Sequence, residues 1–111
     1  MGIIELKLAW VHAVRPDQKD APEVRIEDNG RTLLLSPEQI AEVEENKPHH
    51  SYFGGSIDKT LRFSVNTLTT VSGKEHYLAE PIEEIKRKWG EALRAPVYQK
   101  TRSITRQQGN G

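Results

Sequence analysis

The chain begins with a long alternation of apolar and polar positions. The residues that fall on one face over positions 3–14 are Ile4, Leu6, Leu8, Trp10, His12 and Val14. A period of two over this length predicts a half-buried strand. The polar segment 16–22, which has a proline at each end, predicts the turn that ends this strand.

Two further stretches predict antiparallel pairing. Asn29-Gly30 is a strong signal for a two-residue hairpin turn, with strands predicted at Val24–Ile26 and Arg31–Leu35. The alternation returns from Ile57 to Val71, where many β-branched residues favour a strand. A turn at residues 72–74 then predicts that residues 75–78 pair back as a hairpin.

Two helices are expected. Ser36, Pro37 and Gln39 form a capping-box pattern that predicts a short surface helix, ending at residues 46–48. Residues 47–56 then read as a loop. Glu80-Pro81 opens the main helix, in which Ile82, Ile85, Trp89 and Leu93 recur at helical spacing before Pro96 stops it.

These patterns predict a single α+β domain over residues 1–106, followed by a disordered tail at 107–111. We expect an antiparallel sheet of about five strands with one short and one longer helix. The chain has 111 residues and an apolar content of 35%. A core of that size is modest, so an oligomer would be a natural way to cover more apolar surface.

Composition narrows the class of protein. The absence of cysteine excludes a disulfide framework and a thiolate metal site, and it fits a reducing compartment. No apolar run is long enough to cross a membrane, and the first residues do not resemble a secretory leader. We therefore expect a cytoplasmic protein (in the host cytoplasm if viral) with no membrane partner.

The net charge is zero, with 16 basic and 16 acidic residues, which argues against a general nucleic-acid binder. The charge is nevertheless uneven. Residues 38–47 contain four acids and one base, whereas residues 86–106 contain seven bases and one acid. The C-terminal segment is therefore a candidate anion-facing surface, with a solvated helix-stabilising pattern as the alternative.

The sequence carries none of the common catalytic motifs. Gly73-Lys74 lacks the earlier glycine of a phosphate-binding loop, and Gly54-Gly55-Ser56 is not a nucleophile elbow. His49 and His50 are adjacent, so an extended backbone would point them apart, and the histidine spacing matches no common metal-ligand set. We predict no enzyme activity, no cofactor and no metal.

Two clusters and one segment are candidates for ligand binding. The residues of the first cluster are Trp10, His12 and Arg15, and those of the second are Tyr98, Lys100, Arg102 and Arg106. An aromatic ring beside cations suits a base joined to a phosphate. The alternatives are that Trp10 belongs to the core and that residues 98–106 are a flexible polar tail.

The candidate lid lies in the segment predicted as a loop, at His50, Tyr52 and Phe53. Exposed aromatics beside paired glycines suit closure over a ligand or contact with a partner. The alternative is a loop that folds back and packs its own phenylalanine.

Residues 67–85 carry a local resemblance. Thr67 to Glu80, a hairpin around Gly73-Lys74 followed by an aromatic-apolar strand, leads into Ile82-Glu83-Glu84-Ile85. This pattern resembles the FlbD-type flagellar and swarming motility proteins, as does the passage from Asn29 to Ile40. The resemblance implies a protein-interaction or regulatory module.

The whole chain is similar in style to small phage counter-defence proteins, including Thoeris anti-defence sponges that sequester cyclic nucleotide signals. That resemblance implies a compact, oligomeric protein without enzyme activity. The function favoured by the sequence is therefore a non-enzymatic protein that binds and sequesters a small anionic nucleotide-like signal. A protein-interaction module and nucleic-acid binding through residues 86–106 are the alternatives.

Overall fold

The computed structural model describes residues 2–17 and 19–94, and within them the chain is an α+β protein. The elements in chain order are β1 (Ile4–Val14), β2 (Glu23–Leu35), a 3₁₀ helix (Pro37–Gln39), β3 (Ile40–Phe53), β4 (Lys59–Thr70), β5 (Glu75–Tyr77) and α1 (Ile82–Arg94). All strand pairs are antiparallel. The strands form two sheets, ordered β1-β2 and β3-β4-β5, rather than the one sheet expected.

The predicted hairpin turn at Asn29-Gly30 is wrong. Both predicted flanking strands belong to β2, which pairs along its length with β1. Lys7 lies opposite Thr32 and Ala9 opposite Asp28, so residues 29–31 bulge out against the single residue 8. Gly30 has a φ of +78° there. A bulge uses the positive φ that Gly favours just as a hairpin turn does, so the dipeptide alone did not distinguish them.

The predicted helix after Ser36 is also wrong beyond its first turn. The Ser36 N–H donates to Gln39 Oε1 at 2.8 Å, as the capping pattern implies, but the 3₁₀ helix ends at Gln39. Ile40 then starts β3, the longest strand at 14 residues. Only Ile40 and Val43 indicated a helical face, and pairing with β4 overrides so weak a signal.

The segment 47–56 is a strand for most of its length, so the loop prediction is wrong there. Lys47 pairs with Val65 and Phe53 with Lys59, and the chain reverses only between residues 53 and 59. The predictions for β4 and β5 are confirmed, with a turn at residues 72–74 between them. Five strands were expected, and the described residues contain five. The two strands predicted at Val24–Ile26 and Arg31–Leu35 form the single strand β2, and β3 was not predicted.

The main helix is confirmed, and its buried residues belong to one core cluster with residues of both sheets. The buried residues of this core are Ile4, Leu6, Leu35, Ile40, Leu68, Leu78, Ile85 and Ala92. Ile82 and Trp89 of the predicted stripe pack against this core, while Leu93 is exposed. Burial of this apolar face favours docking of α1, at roughly 25 cal/mol per Å² of apolar surface.

Among the described residues, one backbone bridge, between Leu8 and Leu78, links the two sheets beside their shared core. The Ala79 N–H donates to the Lys7 carbonyl at 2.8 Å, and the Lys7 N–H donates to the Glu80 carboxylate at the same distance. Beyond this junction the part of β1 that contains Trp10 extends past the core.

Candidate ligand-binding surfaces

Trp10 is a surface residue and not part of the core. Its side chain stacks on that of His12, with 3.7 Å between ring centroids and 10° between ring planes. The two residues are two positions apart on β1, so the strand period places both on one face. Trp10 remains 51% exposed. We call this stack and its partner Glu27 the Trp10 shelf.

Glu27 holds the imidazole of the shelf in place. It lies opposite Trp10 on β2, and its Oε2 is 2.7 Å from Nε2 of His12. An ionised carboxylate only accepts hydrogen bonds, so Nε2 carries the proton and Nδ1 is left for another partner. Arg25, opposite His12 and bonded to Glu23, adds a cation to the same face.

Arg15 lies apart from the Trp10 shelf. It lines a separate cleft of about 580 Å³ with Ala13, Val14, Ser56 and Ile57. The structure therefore brings together two of the three residues predicted for the first cluster. Tyr98, Lys100, Arg102 and Arg106 of the second cluster lie outside the described residues, as does the tail at 107–111.

The adjacent histidines of β3 point to opposite faces, as their spacing predicts. His49 faces inward and packs against Phe63 and Tyr77, with ring centroids 5.3 and 4.8 Å away. The Thr67 hydroxyl donates to the Val65 carbonyl at 2.9 Å. That hydroxyl must therefore accept from Nε2–H of His49, 2.8 Å away.

His50 faces outward, where it meets Arg62 directly across β4. The Arg62 Nε–H donates to Nε2 of His50 at 3.2 Å. Both residues line a shallow cleft of about 470 Å³, which we call the β3–β4 cleft. Its lining residues are Pro48, His49, His50, Arg62, Phe63 and Ser64.

Sequence reasoning missed Arg62. The alternation of β4 did place it on the polar side, between Leu61 and Phe63. Its meeting with His50 depends on the register with β3, and β3 was not predicted as a strand. A pattern of outward residues at Pro48, His50 and Tyr52 was the available signal.

The candidate lid residues are divided by the same register. His50 and Tyr52 lie on the outer face of β3, whereas Phe53 packs edge-on against Phe63, with centroids 6.4 Å apart. The Tyr52 hydroxyl donates to Asp58, and this hydrogen bond raises the pKa of the Tyr52 phenol. His50, Tyr52 and Phe53 belong to a strand paired with β4 and not to a loop. Closure of these residues over a ligand stays a prediction.

A third cleft lies near both surfaces. A cleft of about 350 Å³ lies between the hairpins, with Ile26, Glu27 and Asp28 on one wall and Ser64 and Asn66 on another. Glu27 belongs to the Trp10 shelf, and Ser64 also lines the β3–β4 cleft. This cleft thus shares one lining residue with each of the two surfaces, and its own lining includes the acids Glu27, Asp28 and Glu80.

Among the described residues, no group of three or more histidine, aspartate or glutamate side chains is placed to hold a metal ion. The helix in this part of the chain is too short and too polar to cross a membrane. Comparisons with protein-family models, with curated proteins and with solved structures found no match to this chain.

Proposed function

We propose that this protein binds a small anionic, nucleotide-like ligand without transforming it, and that the ring of the ligand stacks on Trp10. The observation that carries the proposal is the exposed Trp10–His12 stack. A Trp side chain can bury 150–250 Å² and an exposed π face is a ready platform for a flat ring. Here the platform is oriented by His12 and Glu27 before any ligand arrives.

Binding without catalysis is supported by the way the histidines are engaged. His12 bonds to Glu27, His49 to Thr67, and His50 to Arg62. The one hydroxyl among these partners, that of Thr67, accepts from His49 and donates to the Val65 carbonyl, so His49 does not act on it as a base. Such contacts suit orientation of a binding surface.

The test uses tag-free protein with cyclic dinucleotides, ADP-ribose derivatives and plain nucleotides in thermal-shift and calorimetric titrations. A ligand at 100-fold excess over its Kd should stabilise the fold by about 2.7 kcal/mol. Stacking of one base is worth about 1–3 kcal/mol, so Trp10→Ala should weaken binding by about 5- to 150-fold.

Val71→Ala is the control, because Val71 is also an exposed apolar residue and lies directly after β4, outside the clefts described above. Its affinity should stay within about twofold of the unmodified protein, well below one tenfold step of 1.4 kcal/mol. If none of these ligands stabilises the protein, or if both variants lose affinity equally, the proposal fails.

We also propose that the chain forms a homo-oligomer. Ile3 and Leu34 are 66% and 64% exposed and lie on the outer side of the β1–β2 hairpin, beside Glu5. Exposed aliphatic side chains grouped on one face favour an interface. Light scattering should give a mass above that of one chain, and Ile3→Ser/Leu34→Ser should reduce it.

The second candidate, a protein-interaction module, draws on the same aliphatic face. If light scattering gives the mass of one chain, a partner protein is the better candidate for covering the face that contains Ile3 and Leu34. Recovery of a partner that survives nuclease treatment and dialysis, and that is lost with Ile3→Ser/Leu34→Ser, would favour this function over ligand sequestration.

A further inference from the structure

The lining of the β3–β4 cleft contains three side chains that can donate hydrogen bonds, and it contains no carboxylate. The donors are the Arg62 guanidinium, the His50 imidazole and the Ser64 hydroxyl. Its volume of about 470 Å³ lies within the 300–1,000 Å³ typical of small-molecule sites. Such a lining is suited to an anion.

Arg62 is held in position but not neutralised. Its Nε–H is used by His50, and none of the ion pairs found within 4.0 Å among residues 2–17 and 19–94 involves Arg62. The other four N–H groups of the guanidinium are thus available for a ligand. By contrast, Arg87 is bonded by both Glu84 and Glu91.

His50 contributes a second donor through its tautomer. Because Nε2 accepts the hydrogen bond from Arg62, the proton of the neutral ring is on Nδ1. The imidazole therefore fixes the plane of the guanidinium with one nitrogen and offers an N–H with the other. Pre-oriented donors lower the entropic cost of binding.

The strand register places no acidic residue directly beside Arg62. The cross-strand pairs around Arg62 are Ser64 with Pro48, Arg62 with His50, and Thr60 with Tyr52. None of these six side chains is acidic, and Asp58, which bonds to the Tyr52 hydroxyl, lies beyond them at the turn of the hairpin.

We propose that the β3–β4 cleft is a binding site for a phosphate group, gripped by the Arg62 guanidinium and by His50. A guanidinium binds two oxygens of a phosphate at once, and donors from three side chains suit a tetrahedral oxyanion. The inference deepens the proposed function, because the phosphate of a nucleotide-like ligand would lie here. It does not require stacking on Trp10.

The experiment is calorimetric titration of the full chain with inorganic pyrophosphate at low ionic strength. Arg62→Gln should weaken binding by about 10-fold or more, because a hydrogen bond to a charged group is worth about 1.5–3 kcal/mol. His50→Phe should give a smaller loss. Added salt should weaken binding to the unmodified protein, since Arg62 is exposed and its charge is screened.

Arg31→Gln is the matched control, because Arg31 is exposed on the β2 bulge, away from the cleft lining. It should bind pyrophosphate as the unmodified protein does, and so should Trp10→Ala. Equal losses in Arg62→Gln and Arg31→Gln would overturn the inference and leave nonspecific charge attraction. Absence of pyrophosphate binding at low ionic strength would overturn it outright.

The two proposals fail separately in this design. Pyrophosphate binding that needs Arg62, without any Trp10-dependent nucleotide binding, would keep the phosphate site and remove the stacking function. Nucleotide binding that needs Trp10 but not Arg62 would keep the stacking function and remove the phosphate site.

Discussion

Lys88 of α1 contacts the buried carboxylate of Glu80, with 2.7 Å between Nζ and Oε2. Glu80 is 6% exposed and precedes the helix, so this pair and the Lys7 N–H tie the start of α1 to β1. Lys88 also donates to the Glu5 carbonyl at 2.9 Å. The main helix is thus held to the sheet by a polar contact beside its apolar face.

Removal of the lysine should destabilise the fold. Lys88→Met leaves a buried carboxylate without its cation, a change that costs about 3–5 kcal/mol when the pair is buried. Because Lys88 is 25% exposed, we expect the lower end of that range. Urea denaturation measures the loss, and Lys86→Met on the exposed side of α1 should change stability by less than about 0.5 kcal/mol. Similar losses in the two variants would contradict a specific role for Lys88.

The bulge at Gly30 should resist substitution. Gly30→Ala places a Cβ at a φ of +78°, which costs about 1–2 kcal/mol even though no neighbour lies within 4 Å of that Cβ. Asn tolerates this conformation better, so Gly30→Asn should cost less. Gly54→Ala is the control, since its Cβ would meet only Tyr52 at an ordinary 3.7 Å. Equal free energies of unfolding for the two alanine variants would show that the bulge is not constrained.

The inner histidine should depend on the Thr67 hydroxyl. Thr67 is 1% exposed, and Thr67→Val keeps its shape while leaving the His49 Nε2–H without its acceptor. An unpaired buried polar group costs about 1–3 kcal/mol, and because His49 is only half-buried we expect the lower end of that range. In the double variant His49→Phe/Thr67→Val both partners are apolar, so part of the loss should return. The losses in free energy of unfolding of Thr67→Val, of His49→Phe and of the double variant are measured by urea denaturation. If the two single losses add up to the loss of the double variant, the two residues are not coupled.

The Lys47–Glu75 pair should give a pH-dependent stability. It joins β3 to β5 across β4, with 2.5 Å between Nζ and Oε2. The hydrogen bond to Lys47 lowers the pKa of Glu75, and the same bond raises the pKa of Lys47. Glu75 therefore adds stability above its unfolded pKa, which is lost as pH falls through the lower folded pKa.

Unfolding measured from pH ~7 to pH ~3 should show this loss in the unmodified protein and less of it in Glu75→Gln. The difference should be small and should shrink at high salt, because both side chains are partly exposed. Glu38→Gln, at an exposed position of the 3₁₀ helix, serves as the control and should follow the unmodified protein. Parallel curves for Glu75→Gln and Glu38→Gln would contradict the assignment.

The candidate site was accessible to sequence reasoning only in part. Trp10 and His12 could be paired because two residues apart on a strand share a face whatever surrounds them. Arg62 and His50 are 12 positions apart, and their contact depends on the register between β3 and β4. The sequence pattern predicts a helix and a loop where β3 lies, so it could not give that register. Arg15 follows the end of β1, where the strand period no longer decides which residues it approaches.

The sequence by itself determined the alternation of β1 and β4, the turn before β5 and the apolar stripe of α1. These features follow from backbone periodicity and local turn chemistry, both of which depend only on residues close together in the sequence. Tertiary structure alone decided that Asn29-Gly30 forms a bulge and that residues 40–53 are extended. Ladder hydrogen bonds and burial supplied by β1 and β4 outweigh local preferences of less than about 1 kcal/mol per residue.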